Sequence, residues 1–529
     1  MQSVKNYGKK TAVIVVFILL SLWFSIFLMK KINLTTADLG RHIKNGEVIL
    51  SLGLQDFGKS DIFTKNFYSY TNQDFSFVNH HWGSGVVFYL INRAGSFIAL
   101  SFFYILLSVL TFGIFFYTAK KEIGILPAFA FSMALIPIMA SRAEIRPEVF
   151  TYFFSSIFFL ICYFSQKSKI NPSWLYFLVP IFFVWVNLHI AFFFGFIILG
   201  AFMAEQLFFL ALSRPAHILK ELSFSFILSL FAVILNPLGF LGALEPFKIF
   251  KEYGYLVVEN QSIGFLERLG HTTGLNFLLF KILFLALFLS FALVLIKKRK
   301  KFSLSNCLLA IITSFMAYMG IRNFPFFGFF ALPIMAENTA ILLGVFKEKI
   351  TKNIVLTTAI IIVIIFFIHG LIYFYNQKTI AGLGLDAGIN NSADFFKKNN
   401  IKGPIFNNYD IGGYLIYHLY PEHKVFVDNR PEAYPVSFFK EIYIPAQEDN
   451  KKWEELLNQY NFNAIFFSWR DYTPWGQNFL AQRIEDKKWA PIFADNYNII
   501  FVKRNDLNKN IIEKYELPKE MFRVSPVTK

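Results

Sequence analysis

The stretch Thr35 to Trp82 gathers an unusual density of residues able to do chemistry. Asp38, Arg41, His42, Glu47, Asp56, Asp61, His80 and His81 all stand in it. Asp38 comes just after the first apolar run, at 11–29. A carboxylate there can accept a proton from an acceptor hydroxyl, or hold a divalent cation with a second carboxylate such as Asp56 or Asp61. It can equally cap a helix, because Leu39-Gly40-Arg41-His42-Ile43 follows and Asp is a favoured cap. His42 and Glu47 suit a binding site or a solvated helix face alike. The pair His80-His81 offers imidazole nitrogens to a metal, but two adjacent histidines define no site by themselves.

A second set is cationic. Arg142, Arg146 and Arg322 carry the planar forks that bind phosphate through two hydrogen bonds. Any arginine at a membrane surface can instead reach lipid headgroups. In Arg142-Ala-Glu-Ile-Arg146-Pro147-Glu148 the signs alternate, which points to partners inside the protein. His189 is alone in Asn187-Leu-His-Ile-Ala, a break between two apolar runs, and reads as a satisfied buried histidine or as a site residue.

These residues need a scaffold, and the composition names it. Of 529 residues 55% are hydrophobic, 69 of them Phe, so an aqueous globular fold is excluded. Apolar runs near 11–29, 96–119, 124–140, 148–165, 173–188, 191–212, 222–236, 276–296, 302–321, 325–346 and 353–375 read as eleven helical spans. The segment Trp82–Ala94 is too short and mixed for a span, and reads as an amphipathic surface helix. The first run ends Phe-Leu-Met-Lys-Lys with no small-residue cleavage site, so it reads as a retained anchor.

The net charge of +16 does not point to nucleic acid, because the basic residues cluster between spans. Lys120/Lys121, Lys167/Lys169, Arg214/Lys220, Lys297 through Lys301 and Lys347/Lys349/Lys352 all fall on one side of an eleven-span count. That side is the cytoplasm. The N-terminus is then inside, while the first polar loop, the 141–147 link, the 237–275 loop and the tail lie outside. Cys162 and Cys307 sit within apolar runs, so no disulfide framework is available.

From about Gln377 the apolar runs shorten. Pro404-Ile-Phe, Lys424-Val-Phe-Val, Asn463-Ala-Ile-Phe-Phe and Asn498-Ile-Ile-Phe-Val read as buried strands, with helical patterns at Asp449–Gln459 and Gln477–Asp486. Asp410 reads as the cap of a helix carrying Tyr414 and Tyr417. The expected fold is a membrane all-α bundle over 1–376, with an outer loop at 31–82 and a C-terminal soluble α/β domain over 377–529.

The pattern resembles a functionally unassigned bacterial family of polytopic proteins in the C-type glycosyltransferase superfamily. The residues that carry the likeness begin with Asp38, His42, Gly46-Glu47, Asp61-Ile-Phe63 and His80-His-Trp82. They continue with Arg146-Pro147, Asn187-Leu-His189, Asn236-Pro237 and Arg322-Asn323. The tail adds Asn407-Asn-Tyr-Asp-Ile-Gly-Gly-Tyr-Leu, Tyr420-Pro and Lys424-Val-Phe-Val-Asp428-Asn-Arg430. Members often carry an acidic residue after the first His of His-x-Trp and another after the Trp; His81 and Gly85 stand there in this chain.

The resemblance implies transfer of a sugar from a polyprenyl-phosphate-linked donor on the outer face of the cytoplasmic membrane. Asp38 would be base or metal ligand, with Asp61 second and a divalent cation such as Mg or Mn as the cofactor. Donor and substrate binding would fall to Arg142, Arg146, His189, Arg322, His42 and Glu47. The partners are the bilayer, the lipid-linked donor and a glycan, lipid or protein acceptor, not nucleic acid. The competing class is a non-catalytic transporter or lipid-handling protein, which would place ionisable groups near mid-membrane. Glu205, Lys281 and Glu337 are the main charges within the runs. Reporter fusions at Lys300 and at residue 400 are expected to report opposite compartments; one shared compartment would break the eleven-span count.

Overall fold

The computed structural model describes residues 2–53, 55–248, 252–270, 275–345 and 352–522. Lys347 and Lys349, read above as part of a basic loop, lie outside the described residues. The chain divides into two compact units. One comprises 1–31, 100–239 and 257–383; the other comprises 32–99, 240–256 and 384–529.

The first unit is helical. Every apolar run of the sequence lies in a helix: Gln2–Leu28, Trp82–Ile123, Ile125–Met139, Glu148–Gln166, Leu178–Leu188, Phe193–Ala211, Leu219–Ala232, Leu275–Lys298, Leu304–Met319, Phe324–Val345 and Lys352–Gln377. Among the described residues seven helical stretches are long and apolar enough to cross a membrane, and three shorter apolar ones accompany them. The protein is a multi-pass membrane protein. The helix Trp82–Ile123 is interrupted at Gly95 and Ser96, where Ser96 adopts φ 61°. That break separates the Trp82–Ala94 segment from the span after it.

Burial sorts the helices. The apolar windows of Glu148–Gln166 and Ile321–Val345 are each 72% buried, against 11% for Asn353–Gln377, so the first two are central and the last is peripheral. Phenylalanine fills the centre: Phe115 lies 5.7 Å from Phe329 and 5.1 Å from Phe330, and Phe194 lies 4.6 Å from Phe326. Such rings add area burial and edge contacts together.

The three charges inside the runs are all fixed. Glu205 accepts from Gln166 Nε2 at 3.0 Å, from Ser303 Oγ at 3.1 Å and from the Ser305 amide at 2.9 Å. It thereby covers the amide end of the helix Leu304–Met319. Glu337 receives Lys167 at 2.7 Å, and Lys281 meets Glu267 at 2.6 Å.

The second unit holds a four-stranded mixed sheet. Its strands are β1 (Ile405–Asn407), β2 (Ala464–Ser468), β3 (Trp489–Ala494) and β4 (Asn498–Lys503), in the order β1-β2-β4-β3. β1 runs parallel to β2, and the other pairs are antiparallel. Three of the four expected strands are present. Lys424–Val427 is not a strand of the sheet, because a side chain replaces the neighbouring ladder. Asn407 Oδ1 accepts from the Phe426 amide at 2.9 Å, and its Nδ2 donates to the Val427 carbonyl at 2.7 Å. β3 escaped the sequence reading because Pro491 interrupts it; the register shifts between Pro491 and Phe493, as a residue without an amide hydrogen requires.

The second unit gathers 32–99 and 240–256 with the tail. The segment 66–77 joins it: the Tyr70 amide donates to the Val425 carbonyl and the Val425 amide to the Tyr68 carbonyl, each at 3.1 Å, and Tyr70 Oη donates to the Ile405 carbonyl at 2.8 Å. A buried fork closes the seam. Arg430 donates through Nε to Asp428 Oδ1 at 2.7 Å and through Nη2 to Oδ2 at 2.6 Å, and also to Asn66 at 2.8 Å. Asp428 and Arg430 are 0% and 4% exposed, so neither charge has water as a substitute partner. Arg430→Met is therefore expected to destabilise the protein by about 3–5 kcal/mol, the cost of leaving a buried charge unpaired. Thermal unfolding of the full chain checks this, and an unchanged midpoint would mean that water reaches the pair.

Candidate functional sites in the two units

In the helical unit the three candidate arginines come together, and they come with partners. Arg142 pairs with Glu148 at 3.2 Å and also with Glu259. Arg146 pairs with Glu144 at 3.1 Å and with Glu259 at 3.2 Å. Arg322 meets Glu148 at 2.7 Å and donates to Asn260 Oδ1 at 2.7 Å. Lys30 adds a looser pair, 3.4 Å from Glu144, with both side chains more than a third exposed. Partial burial would raise Glu144, but Arg146, Lys30 and Arg142 outweigh it and bring the carboxyl down to about 2. Burial likewise opposes the ionisation of Glu259, and Arg146, Arg142 and Arg322 hold it below its usual range.

Local structure explains why these residues meet. Pro147 starts the helix Glu148–Gln166, so Glu148 lies in its first turn, where a carboxylate favours the amide end. The turn Ile321–Asn323 breaks the chain between two helices, and Asn323 Nδ2 secures it by donating to the Met316 carbonyl at 3.1 Å. Asn236 does the same for its own turn, donating to the Val233 and Gly239 carbonyls at 2.9 and 2.8 Å. Several motif residues of this unit are thus turn formers.

His189 belongs to the core. It is 5% exposed, and its Nδ1 lies 2.7 Å from Thr151 Oγ1, which also accepts from Trp185 Nε1 at 2.9 Å. The same Nδ1 accepts from the Ala191 amide at 3.3 Å, so its hydrogen bonds serve the helix break.

A cavity of about 530 Å³ adjoins this ion-pair cluster. Its walls combine Lys30, Arg142, Glu144 and Glu259 with Phe27, Pro137, His369, Tyr373 and Phe374. His369, Tyr373 and Gln377 are four residues apart on the helix Lys352–Gln377, so one helix face contributes all three. Arg146 and Arg322, assigned to phosphate from the sequence, do not line it. Lys30 and His369 were missed, since each sits at the edge of or inside an apolar run.

In the second unit, Asp38 occupies the N-cap position of the helix Leu39–Ser51. Its backbone is helical there, and its side chain makes no cap hydrogen bond, so the capping alternative does not apply. His42 is 1% exposed and packs edge-on to His81 at 5.3 Å, which makes it a core residue of the unit. Glu47 pairs with Lys44 at 2.7 Å with its side chain 45% exposed: a surface pair. Asp61 opens the short turn Asp61–Phe63 and pairs with Lys65 at 3.3 Å, its side chain 58% exposed. Asp56 is exposed.

The carboxylates that share Asp38's surroundings come from the tail. Burial raises Asp410 to about 7, with Asp471 and Asp38 adding like charge. Burial also raises Glu432, whose neighbours include Arg41, Arg430 and Asp38. Asp410 was read as a helix cap. The helix is Gly412–Leu419 and its N-cap position is Ile411, so Asp410 stands one residue too early to cap. Asp471 is held by Asn408 Nδ2 at 3.0 Å and by the Thr473 amide at 3.0 Å. Nothing in the sequence joined Asp410 to Asp38, which are far apart along the chain.

Among the described residues no group of three or more His, Cys, Asp or Glu is placed to hold a metal ion. A divalent cation at Asp38 that completes its shell from substrate and water is a mode open to Mg.

Asp410 has a folded value above the unfolded one, near 3.9. Its charge thus opposes folding by an amount that is absent at pH 4, grows through the interval, and is complete above about 7. Asp410→Asn is expected to raise the melting temperature at pH 8 and to change it little at pH 4. The reverse order would remove the burial argument.

Searches of protein-family models and of curated proteins return no match. Solved structures do match. The archaeal oligosaccharyltransferase AglB from Archaeoglobus fulgidus, in complex with an inhibitory peptide and a dolichol-phosphate, is similar with a TM-score of 0.59 and 12% identity, over 92% of this chain and 74% of that one. ArnT from Cupriavidus metallidurans in the apo state gives 0.54 and 14%, over 93% and 98%. The same protein bound to undecaprenyl phosphate gives 0.50 and 13%, over 94% and 99%. The chain has the fold of the C-type glycosyltransferases, a polytopic helical bundle with a small C-terminal sheet.

Proposed function

We propose that this protein is a membrane glycosyltransferase that moves a sugar from a polyprenyl-phosphate-linked donor to an acceptor on the outer face of the cytoplasmic membrane. The observation that carries the reading is the cavity of about 530 Å³, whose walls join cations to aromatic rings. A lipid phosphate is both anionic and apolar, and a wall of Lys30 and Arg142 beside Phe27 and Tyr373 matches that chemistry. The likeness to AglB with a dolichol-phosphate and to ArnT with undecaprenyl phosphate supports it.

In this reading Asp38 takes the proton of the acceptor hydroxyl as its oxygen attacks the anomeric carbon. The bond from that carbon to the phosphate oxygen breaks, and the polyprenyl phosphate leaves with the electron pair. Charge grows on the phosphate, so preset cations lower the barrier. Lys30 is the readiest donor, because its pair with Glu144 is long and partly exposed. Arg142 contributes through its field and any hydrogen left over from Glu148 and Glu259. Arg146 and Arg322 hold the carboxylates in place. A divalent cation, when bound at Asp38, would supply further neutralisation of the phosphate.

Asp38→Asn removes the basic oxygen without removing a cap bond, since none is made. In reconstituted membranes it is expected to fold normally and to lose roughly 100-fold or more of sugar transfer from a polyprenyl-phosphate donor. Lys30→Ala is expected to weaken donor binding by about 1.5–3 kcal/mol, the worth of a hydrogen bond to a charged group. Full transfer by Asp38→Asn would sink the assignment of the base.

A further inference from the structure

Near Asp38 lies a cluster of polar groups that the proposed mechanism does not use, set where two helix starts approach each other. The helices Leu39–Ser51 and Gly412–Leu419 approach so closely that a Cβ on Gly40 would lie 3.1 Å from the Gly413 carbonyl oxygen. A Cβ on Gly413 would lie 3.5 Å from the Ala37 carbonyl and 3.2 Å from Asn429 Nδ2. The crossing therefore gathers Asp38, Asp410 and Asn429 at one place. Arg41 follows in the first turn of the first helix, and its charge acts on Glu432, as does that of Asp38.

The second observation is that Arg41, Asn429 and Asp410 are not consumed by the fold. Arg41 is 6% exposed, yet its Nε makes no hydrogen bond, and among the described residues no ion pair holds it. Both amide atoms of Asn429 are buried without a hydrogen-bond partner. No hydrogen bond or ion pair among the described residues involves the Asp410 carboxylate. Buried polar groups in native proteins are paired, so unsatisfied ones gathered together point to a ligand. Tyr255 adds a ring: it stacks on Tyr409 at 4.1 Å, and Asp410 acts on its hydroxyl.

We infer that this polar cluster binds the acceptor, and that the acceptor is a sugar, recognised through adjacent hydroxyls by Asp410, Glu432, Arg41 and Asn429 with Tyr255 beside it. The inference rests on the transferase reading and names its acceptor class. The donor and acceptor balance decides the class. A cation asks only for acceptors and an anion only for donors, whereas this cluster presents carboxylates, a guanidinium and a complete amide together. Each hydroxyl donates once and accepts twice, so neighbouring hydroxyls use both kinds. The apolar face of a sugar ring suits an aromatic neighbour. A peptide serine brings one hydroxyl and leaves most of these groups unanswered.

Saturation-transfer NMR on the full chain in lipid nanodiscs tests this without any donor. The probes are methyl mannopyranoside, methyl galactopyranoside and methyl ribofuranoside, set against phosphoethanolamine and the peptide Gly-Ser-Gly. At least one glycoside is expected to bind, and Asp410→Asn and Asn429→Ala are each expected to raise its Kd tenfold or more. Lys452→Ala, an exposed change in the same unit, is expected to leave it unchanged. Melting curves establish that each variant is folded; if one is not, the other carries the test, with Arg41→Lys as a third. The inference is overturned if no glycoside binds, if binding is equal in the folded variants, or if phosphoethanolamine or the peptide is preferred. Transfer to some other acceptor without glycoside binding would remove this inference and leave the transferase standing. Glycoside binding without any transfer would do the opposite.

Discussion

Three guanidiniums drawn to one end of a membrane bundle repel each other, and the carboxylates of Glu144, Glu148 and Glu259 are what let them stay. Arg142, Arg146 and Arg322 all meet Glu259, and Arg142 and Arg322 share Glu148. A lone buried guanidinium would be costly, since its dehydration is recovered only when partners complete its hydrogen bonds. The sharing fixes three segments relative to one another: 142–148, 259–260 and 321–323 are held as one piece. The rigid piece in turn shapes the cavity wall, to which it lends Arg142, Glu144 and Glu259.

That same constraint explains what the sequence could and could not tell. Alternating signs in Arg142-Ala-Glu-Ile-Arg146-Pro147-Glu148 pointed to internal partners, and the partners are there. The step from arginine to phosphate did not account for Glu259, which lies more than a hundred residues beyond Arg142 and Arg146 and pairs with all three arginines. The helices were legible throughout, because a run of about twenty apolar residues has few alternatives in a membrane. The strands were legible where alternation was uninterrupted. Lys424–Val427 failed because Asn407 offers amide groups that imitate a neighbouring strand, and β3 failed because Pro491 broke its pattern. Asp410 carries no local signal that sets it beside Asp38. Only the crossing at Gly40 and Gly413 does so, and such a crossing is a property of the fold.

Glycine decides the second unit's packing in another place as well. A Cβ on Gly46 would overlap the Gly85 carbonyl, and one on Gly85 would lie 2.7 Å from the His42 carbonyl. The helix Leu39–Ser51 therefore rests backbone to backbone on the start of the helix Trp82–Ile123. Gly85 occupies a position where the resembling family often has an acidic residue. Here no such side chain fits without moving one helix, so an acid role at that position is closed by packing. The buried His42 follows from the same contact, since close helices leave its ring no route to water.

The fixed charges bear on the choice between transfer and transport. A carrier that moves ions or solutes needs ionisable groups near mid-membrane whose partners change. Glu205 is saturated by Gln166, Ser303 and Ser305, Glu337 is tied to Lys167, and Lys281 to Glu267. Glu205 and Glu337 are consumed by holding helices together. Lys30 differs: its pair is long, its side chain is 38% exposed, and it lines the cavity. A long exposed pair is worth little, so an incoming phosphate can displace Glu144 at small cost. A displaceable pair on a cavity wall suits binding and release of a charged lipid at a fixed site.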